Sequence, residues 1–145
     1  MARFDFYTST IREENQRKIN AGADYERFIA QKYIDSEYQI IYNGIEKGMK
    51  DEGIDLIAIK NDKTILIQCK NWRDTGYKEI YEKDVRAFFG DCFKYILDNS
   101  LINQTVGFHF IVAHEETMNK SAINYFQANA HVKYKCIPFE YIKTI

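Results

Sequence analysis

Residues 54–70 have the sequence IDLIAIKNDKTILIQCK. It contains two largely apolar runs, 54–60 and 64–70, and only the tripeptide NDK separates them. Two apolar, β-rich runs joined by a few turn-forming residues are typical of neighbouring antiparallel strands. Residues 54–70 therefore predict a β-hairpin.

Three polar residues interrupt the apolar pattern of this hairpin. Because side chains alternate between the faces of a strand, Asp55 lies on one face of its strand, and Gln68 and Lys70 share one face of the partner. If residue 60 pairs with residue 63, Asp55 faces Gln68, and if the turn is two residues wider it faces Lys70. Either register brings an acid, an amide and an amine together at the end of an apolar hairpin, which indicates a functional site.

A purely structural interpretation of the same three residues stays open at this point. Asp55 and Lys70 would form a cross-strand ion pair, and Gln68 would be solvated at the edge of the sheet. For two opposite charges taken alone, this is the simpler interpretation. The sequence on either side of the hairpin has to decide between a structural pair and a site.

The segments that follow the hairpin alternate between helix and strand patterns. Apolar residues at helical spacing predict helices at 79–98 and 121–130, and β-rich runs predict strands at 106–113 and 131–137. Another β-rich run, 38–42, precedes the hairpin. This order of elements predicts a mixed α/β sandwich.

The N-terminal segment predicts two helices. A capping pattern that starts at Thr10 indicates a short polar helix, and a break at Gly22 is followed by a second, amphipathic helix that carries Glu26. We therefore expect an N-terminal helical extension at 1–20 and a single domain at 21–145.

Composition limits the class of protein further. The chain has 145 residues, of which 46% are hydrophobic, and only 1 proline, as expected for one compact folded domain. The formal net charge is -1, so any nucleic-acid surface must be local.

No apolar run approaches the ~20 residues that span a bilayer, and no signal-peptide pattern opens the sequence, so we expect a cytoplasmic protein. Three widely spaced cysteines, Cys69, Cys92 and Cys136, indicate reduced thiols rather than disulfides or a zinc ribbon.

The amino-acid sequence around the hairpin resembles that of a known family. The segments KDEGIDLIA (50–58) and ILIQCK (65–70), preceded one helix earlier by YERFIA (25–30), resemble the Mrr-like branch of the PD-(D/E)XK nucleases. The resemblance runs from about residue 22 to residue 142. It implies a restriction-endonuclease-like α/β/α sandwich with a central mixed β-sheet.

The resemblance also implies a catalytic set. Asp55 corresponds to the metal-binding aspartate, Gln68 stands where most of the superfamily has an acid, Lys70 is the motif lysine, and Glu26 matches the glutamate of the first helix. The main-chain carbonyl of Cys69 is implied as a further metal ligand. The implied cofactor is Mg²⁺, with Mn²⁺ as a substitute, because hard cations take oxygen ligands. Gln68 offers only a neutral oxygen, and Glu26, directly or through a water, would restore the missing charge.

The function implied is a divalent-metal-dependent DNA endonuclease that hydrolyses phosphodiester bonds. Two alternatives stay open: a Holliday-junction-type resolvase, and a DNA-binding module whose site is degenerate. Because one such site cuts one strand, we expect a homodimer, at least on DNA. Phe88, Phe89 and Phe93 are candidates for its interface, although burial against their own sheet is the simpler use.

Several residues outside the motif are further candidates. Trp72, Arg73 and Lys78 follow the hairpin and are candidates for DNA contacts. Asp51 is a secondary acid just before the hairpin. The three histidines, His109, His114 and His131, lack ligand-like spacing and are interpreted as structural or solvated.

Overall fold

The computed structural model describes residues 2–43, 53–73 and 78–140. The helices in these ranges are α1 (Ala2–Asp35), α2 (Glu82–Asp98) and α3 (Lys120–Ala128), with a 3-10 turn at Glu115–Thr117. The strands are β1 (Gln39–Tyr42), β2 (Leu56–Lys60), β3 (Lys63–Lys70), β4 (Thr105–Val112) and β5 (Val132–Cys136). From β1 onward, the described helices and strands follow one another in the order that the sequence patterns predict.

The five strands form a single mixed sheet in the order β1-β2-β3-β4-β5. The pairs β1–β2 and β2–β3 are antiparallel, whereas β3–β4 and β4–β5 are parallel. Parallel neighbours need a crossover connection, and α2 and α3 provide the two crossovers. The mixed α/β/α architecture predicted from the sequence is confirmed.

The hairpin of β2 and β3 closes in the narrower of the two registers considered above. Lys60 pairs with Lys63 and Leu56 pairs with Ile67, so the turn between the strands has two residues. Asn61 in this turn has φ 53, in the left-handed region that asparagine tolerates better than most residues. Continued by one residue, this register sets Asp55 against Gln68.

Each face of the sheet carries its own apolar core. On one face, α1 buries side chains such as Tyr25 and Ile29 against Leu56 and Ile67 of the hairpin. On the other face, α2 and α3 cover a cluster that includes Ile57, Leu66, Val85, Phe88, Cys92, Phe110 and Phe126. Alternate residues of β2 and β3 therefore contribute to opposite cores, as the period of two requires.

The helix break predicted at Gly22 is wrong. A single helix of 34 residues, α1, runs from Ala2 through Gly22 to Asp35, and it also passes through Thr10, where a helix start was expected. A glycine inside a helix costs only about 1 kcal/mol relative to alanine, which neighbouring helical residues can offset. The expected extension at 1–20 and the expected domain at 21–145 thus share one helix, and the boundary between them stays a prediction.

Two smaller expectations can be compared with the structure directly. All three cysteines are free thiols, as predicted. Within the described ranges, no helix combines the length and the apolar character that crossing a membrane requires.

Candidate active site

Asp55 lies directly before β2 and is held in place by the partner strand. Its side chain is buried, with 2% of its surface exposed. The carboxylate oxygen Oδ2 accepts a hydrogen bond of 2.7 Å from the backbone N–H of Cys69, and the Asp55 N–H donates to the carbonyl of Ile67 at 2.8 Å. These contacts fix the carboxylate beside the end of β3.

Gln68 lies in β3 on the same face as Leu66, and only 6% of its surface is exposed. Its oxygen Oε1 is fully buried and accepts no hydrogen bond from the part of the chain that the structure describes. An unsatisfied buried acceptor costs about 1–3 kcal/mol. Gln68 therefore presents an oxygen atom that the described residues do not use.

Lys70 ends β3, and its ammonium lies over an aromatic ring. The Nζ atom is 4.4 Å from the ring centroid of Trp72, and Nζ of Lys78 is 5.5 Å from the same centroid. A cation over the face of an indole is attracted by the ring quadrupole. Two positive charges thus lie over the Trp72 ring at the end of the hairpin.

Arg73, the third predicted DNA contact, forms an ion pair with Glu116.

Glu26 lies on α1, and its side chain is half-buried. The neighbouring Tyr25 is part of the core between α1 and the sheet, where its hydroxyl donates to the carbonyl of Ile137 at 2.7 Å. Leu66, which shares its face with Gln68, belongs to the opposite core. Glu26 therefore comes from the other side of the sheet. The catalytic role assigned to it stays a prediction.

The oxygen atoms at the end of the hairpin suit a hard divalent cation. The Asp55 carboxylate provides one anionic donor, and Gln68 Oε1, which accepts no hydrogen bond within the described part of the chain, provides one neutral donor. The Lys70 carbonyl accepts from Ala113 of the segment after β4, so strand alternation directs the Cys69 carbonyl toward the Asp55 side. No group of three or more His, Cys, Asp or Glu residues suited to a metal occurs within residues 2–43, 53–73 and 78–140. A metal here would rely on mixed carboxylate, amide and main-chain oxygens.

Asp91 on α2 is a neighbour of this site that the sequence analysis missed. A Cβ atom built on Gly53 would press against the Asp91 carboxylate, with Cγ at 3.4 Å, and would lie 3.3 Å from Nε2 of Gln68. Asp91 follows the buried Phe88 by three residues and directly precedes the buried Cys92. An acid on the apolar stripe of an amphipathic helix is the sequence signal that could have identified it.

His109 is structural, as expected. It is buried in β4, and its Nδ1 atom is joined to the hydroxyl of Tyr33 by a hydrogen bond of 2.6 Å. Burial lowers the pKa of His109 to about 4, and the positive charges of Lys135, Lys133 and Lys63 add to this effect. His131 is exposed and packs against Phe89. Asp51, the secondary acid, lies outside the described residues.

Comparison with known proteins gives one match. The family model Mrr_cat, described as restriction endonuclease, matches residues 19–133 of the chain. No curated protein and no solved structure matches it. The matched range contains all of the site described above, from Glu26 on α1 to Asp91 on α2.

Proposed function

The chain belongs to the restriction endonuclease family described by Mrr_cat, and from this membership we propose that it is a divalent-metal-dependent endonuclease that hydrolyses phosphodiester bonds of DNA. The observation that carries the metal dependence is the buried Gln68 Oε1 beside the Asp55 carboxylate. An oxygen that accepts no hydrogen bond from residues 2–43, 53–73 and 78–140 is available to a cation. Mg²⁺ is the proposed cofactor, and Mn²⁺ can replace it.

The proposed ligands are the Asp55 carboxylate, Gln68 Oε1 and the Cys69 main-chain carbonyl, with Glu26 contributing through a water. A cation bound there would polarise the phosphoryl oxygen and favour ionisation of the attacking water. The hydrogen bond from the Cys69 N–H keeps the Asp55 carboxylate oriented before any cation arrives. A ligand that is already in position loses little conformational entropy when it binds.

Lys70 is proposed to act on the transition state. Hydrolysis places additional negative charge on the reacting phosphate, and a fixed ammonium stabilises that charge more than it stabilises the ground state. The contact with Trp72 restricts where the Lys70 ammonium can lie. Trp72 therefore has a positioning role in this proposal, in addition to its predicted contact with DNA.

The proposed DNA contacts surround the same end of the hairpin. Lys78 and Arg73 are exposed there and would neutralise phosphates on either side of the one being cleaved. Because the net charge of the whole chain is -1, this local group of cations has to supply the attraction.

A homodimer on DNA is part of the proposal, because two sites are needed to cut two strands. Phe88 is buried and Phe89 packs on Phe108, so neither is offered as an interface residue. Phe93 and Leu97, one helical turn apart on α2, are 48% and 66% exposed. Light scattering with and without a DNA duplex tests the assembly, and a protein that stays monomeric while cutting both strands in one step would contradict it.

The experiment that tests the activity is plasmid cleavage with Mg²⁺, with Mn²⁺ and with chelator. The proposal predicts conversion of supercoiled to nicked or linear DNA with either cation and no conversion with chelator. Preference for a four-way junction over linear duplex would assign the resolvase alternative. DNA binding without cleavage in both cations would contradict the endonuclease and leave the binding module.

A further inference from the structure

We propose that Asp91 supplies the second negative charge of the metal site, the charge that Gln68 lacks, and that it also orients the Gln68 amide. This inference rests on the proposed function, since it concerns the same cation. Asp91 comes from α2, on the face of the sheet to which Gln68 belongs. It is therefore a different source of charge from Glu26, whose helix covers the opposite face.

Gly53 is what allows Asp91 to come close to the hairpin. It has φ 89, in the left-handed region, and a side chain there would collide with the Asp91 carboxylate. The same point in space lies 3.3 Å from Gln68 Nε2. Asp91 and Gln68 thus both lie next to the position that a side chain of residue 53 would occupy. Because Gly53 has no side chain, the Asp91 carboxylate can occupy this space.

The position of Asp91 gives its charge an influence inside the protein. Asp91 is half-buried, so water screens its charge less than that of a fully exposed carboxylate. A cation held by Gln68 and Asp55 would be attracted by the same charge.

The orientation of the Gln68 amide supports the second part of the inference. Its Nε2 group is on the side of the space shared with Asp91, and its Oε1 atom is the buried oxygen that accepts no hydrogen bond from the described residues. A carboxylate attracts the N–H end of an amide and repels the oxygen. Asp91 therefore acts as a positioning residue that turns the Gln68 oxygen toward the cation.

Calorimetric titration of Mn²⁺ into the DNA-free protein tests the inference without relying on cleavage. Asp91→Asn should weaken Mn²⁺ binding by at least about tenfold, the smaller effect seen when a group behind the ligands is removed. The matched control is Asp98→Asn, because Asp98 lies on the same helix, is exposed and pairs with Lys94 at 3.3 Å. Its Mn²⁺ affinity should equal that of the wild type.

A second variant separates charge from packing. Adding Gln68→Glu to Asp91→Asn returns one negative charge to the site and should recover most of the lost Mn²⁺ affinity, which a purely structural role of Asp91 does not predict. Failure of this rescue, or wild-type affinity in Asp91→Asn, would overturn the inference while the proposed metal site remains. Absence of Mn²⁺ binding in the wild type would overturn the proposed function as well.

If Asp91→Asn does not fold in chelator, the wild-type protein supplies the measurement. The side-chain carboxyl carbon resonance of Asp91 should then shift on addition of Mg²⁺ together with that of Asp55, while the Asp98 resonance stays unchanged. A constant Asp91 resonance in a protein whose Asp55 resonance shifts would refute the role given to Asp91.

Discussion

The two faces of the sheet bury polar groups in opposite ways. On the face covered by α1, the Tyr25 hydroxyl donates to the Ile137 carbonyl and the Tyr33 hydroxyl is hydrogen-bonded to His109. On the face covered by α2, Gln68 is buried to a similar degree, yet its Oε1 atom accepts no hydrogen bond from any described residue.

This difference separates groups that serve the fold from groups that serve a ligand. A buried polar group that the chain satisfies adds to stability, whereas an unsatisfied one subtracts from it. We therefore expect Gln68, whose Oε1 atom accepts no hydrogen bond from the described residues, to lower the stability of the metal-free protein, and the proposed cation would compensate for this loss.

The largest effect is expected from Lys70→Ala. Removing the ammonium that stabilises the transition state should lower the rate of plasmid cleavage at least about 100-fold, with the fold and most DNA binding intact. Lys63→Ala is the matched control, because Lys63 is the first residue of the same strand and lies at its opposite end. Wild-type cleavage by Lys70→Ala would show that the lysine has no catalytic role.

Asp55→Asn should weaken binding of the cation on which cleavage depends. The asparagine oxygen can still accept from the Cys69 N–H, but the anionic ligand is lost, so Mn²⁺ affinity should fall by more than the roughly 10–100-fold cost of removing a group outside the ligand set. Calorimetry measures the loss, and Asp62→Asn in the exposed hairpin turn is the control. Undiminished affinity in Asp55→Asn would remove Asp55 from the ligand set.

The α1 face should respond to pH through His109. Its pKa falls from an ordinary value of 6.5 to about 4 on folding, so between these values the unfolded chain binds the additional proton. The free energy of unfolding should therefore decrease as the pH is lowered from 6.5 to 4, by about 3 kcal/mol at most. Denaturant titrations of wild type and His109→Gln isolate this contribution. Equal pH dependence in the two proteins would contradict it.

The hairpin and its polar residues could be predicted because they depend on local rules. Strand alternation and the short NDK connection determine that Asp55 meets Gln68, and the structure has this register. The continuity of α1 was not predictable in the same way, since the propensity of Gly22 is a weak signal beside the residues around it.

Asp91 illustrates what local patterns leave out. It is distant from Gln68 along the chain, and the two approach each other only because α2 docks on the face of β3 that carries Gln68 and because Gly53 has no side chain. The sequence shows that this acidic side chain belongs to the apolar stripe of α2, but it does not show that the side chain lies near Gln68. Contacts that depend on how a helix docks need the tertiary structure.

The most direct test of the distinction between the two faces is the free energy of unfolding of Gln68→Met, measured by denaturant titration without and with saturating Mn²⁺. Methionine is similar in size and needs no hydrogen bond, so the metal-free variant should be as stable as the wild type or more stable. Mn²⁺ should stabilise the variant less than the wild type, because one ligand is lost. A metal-free variant less stable than the wild type, yet stabilised by Mn²⁺ as much as the wild type, would show that Gln68 serves the fold and not a cation.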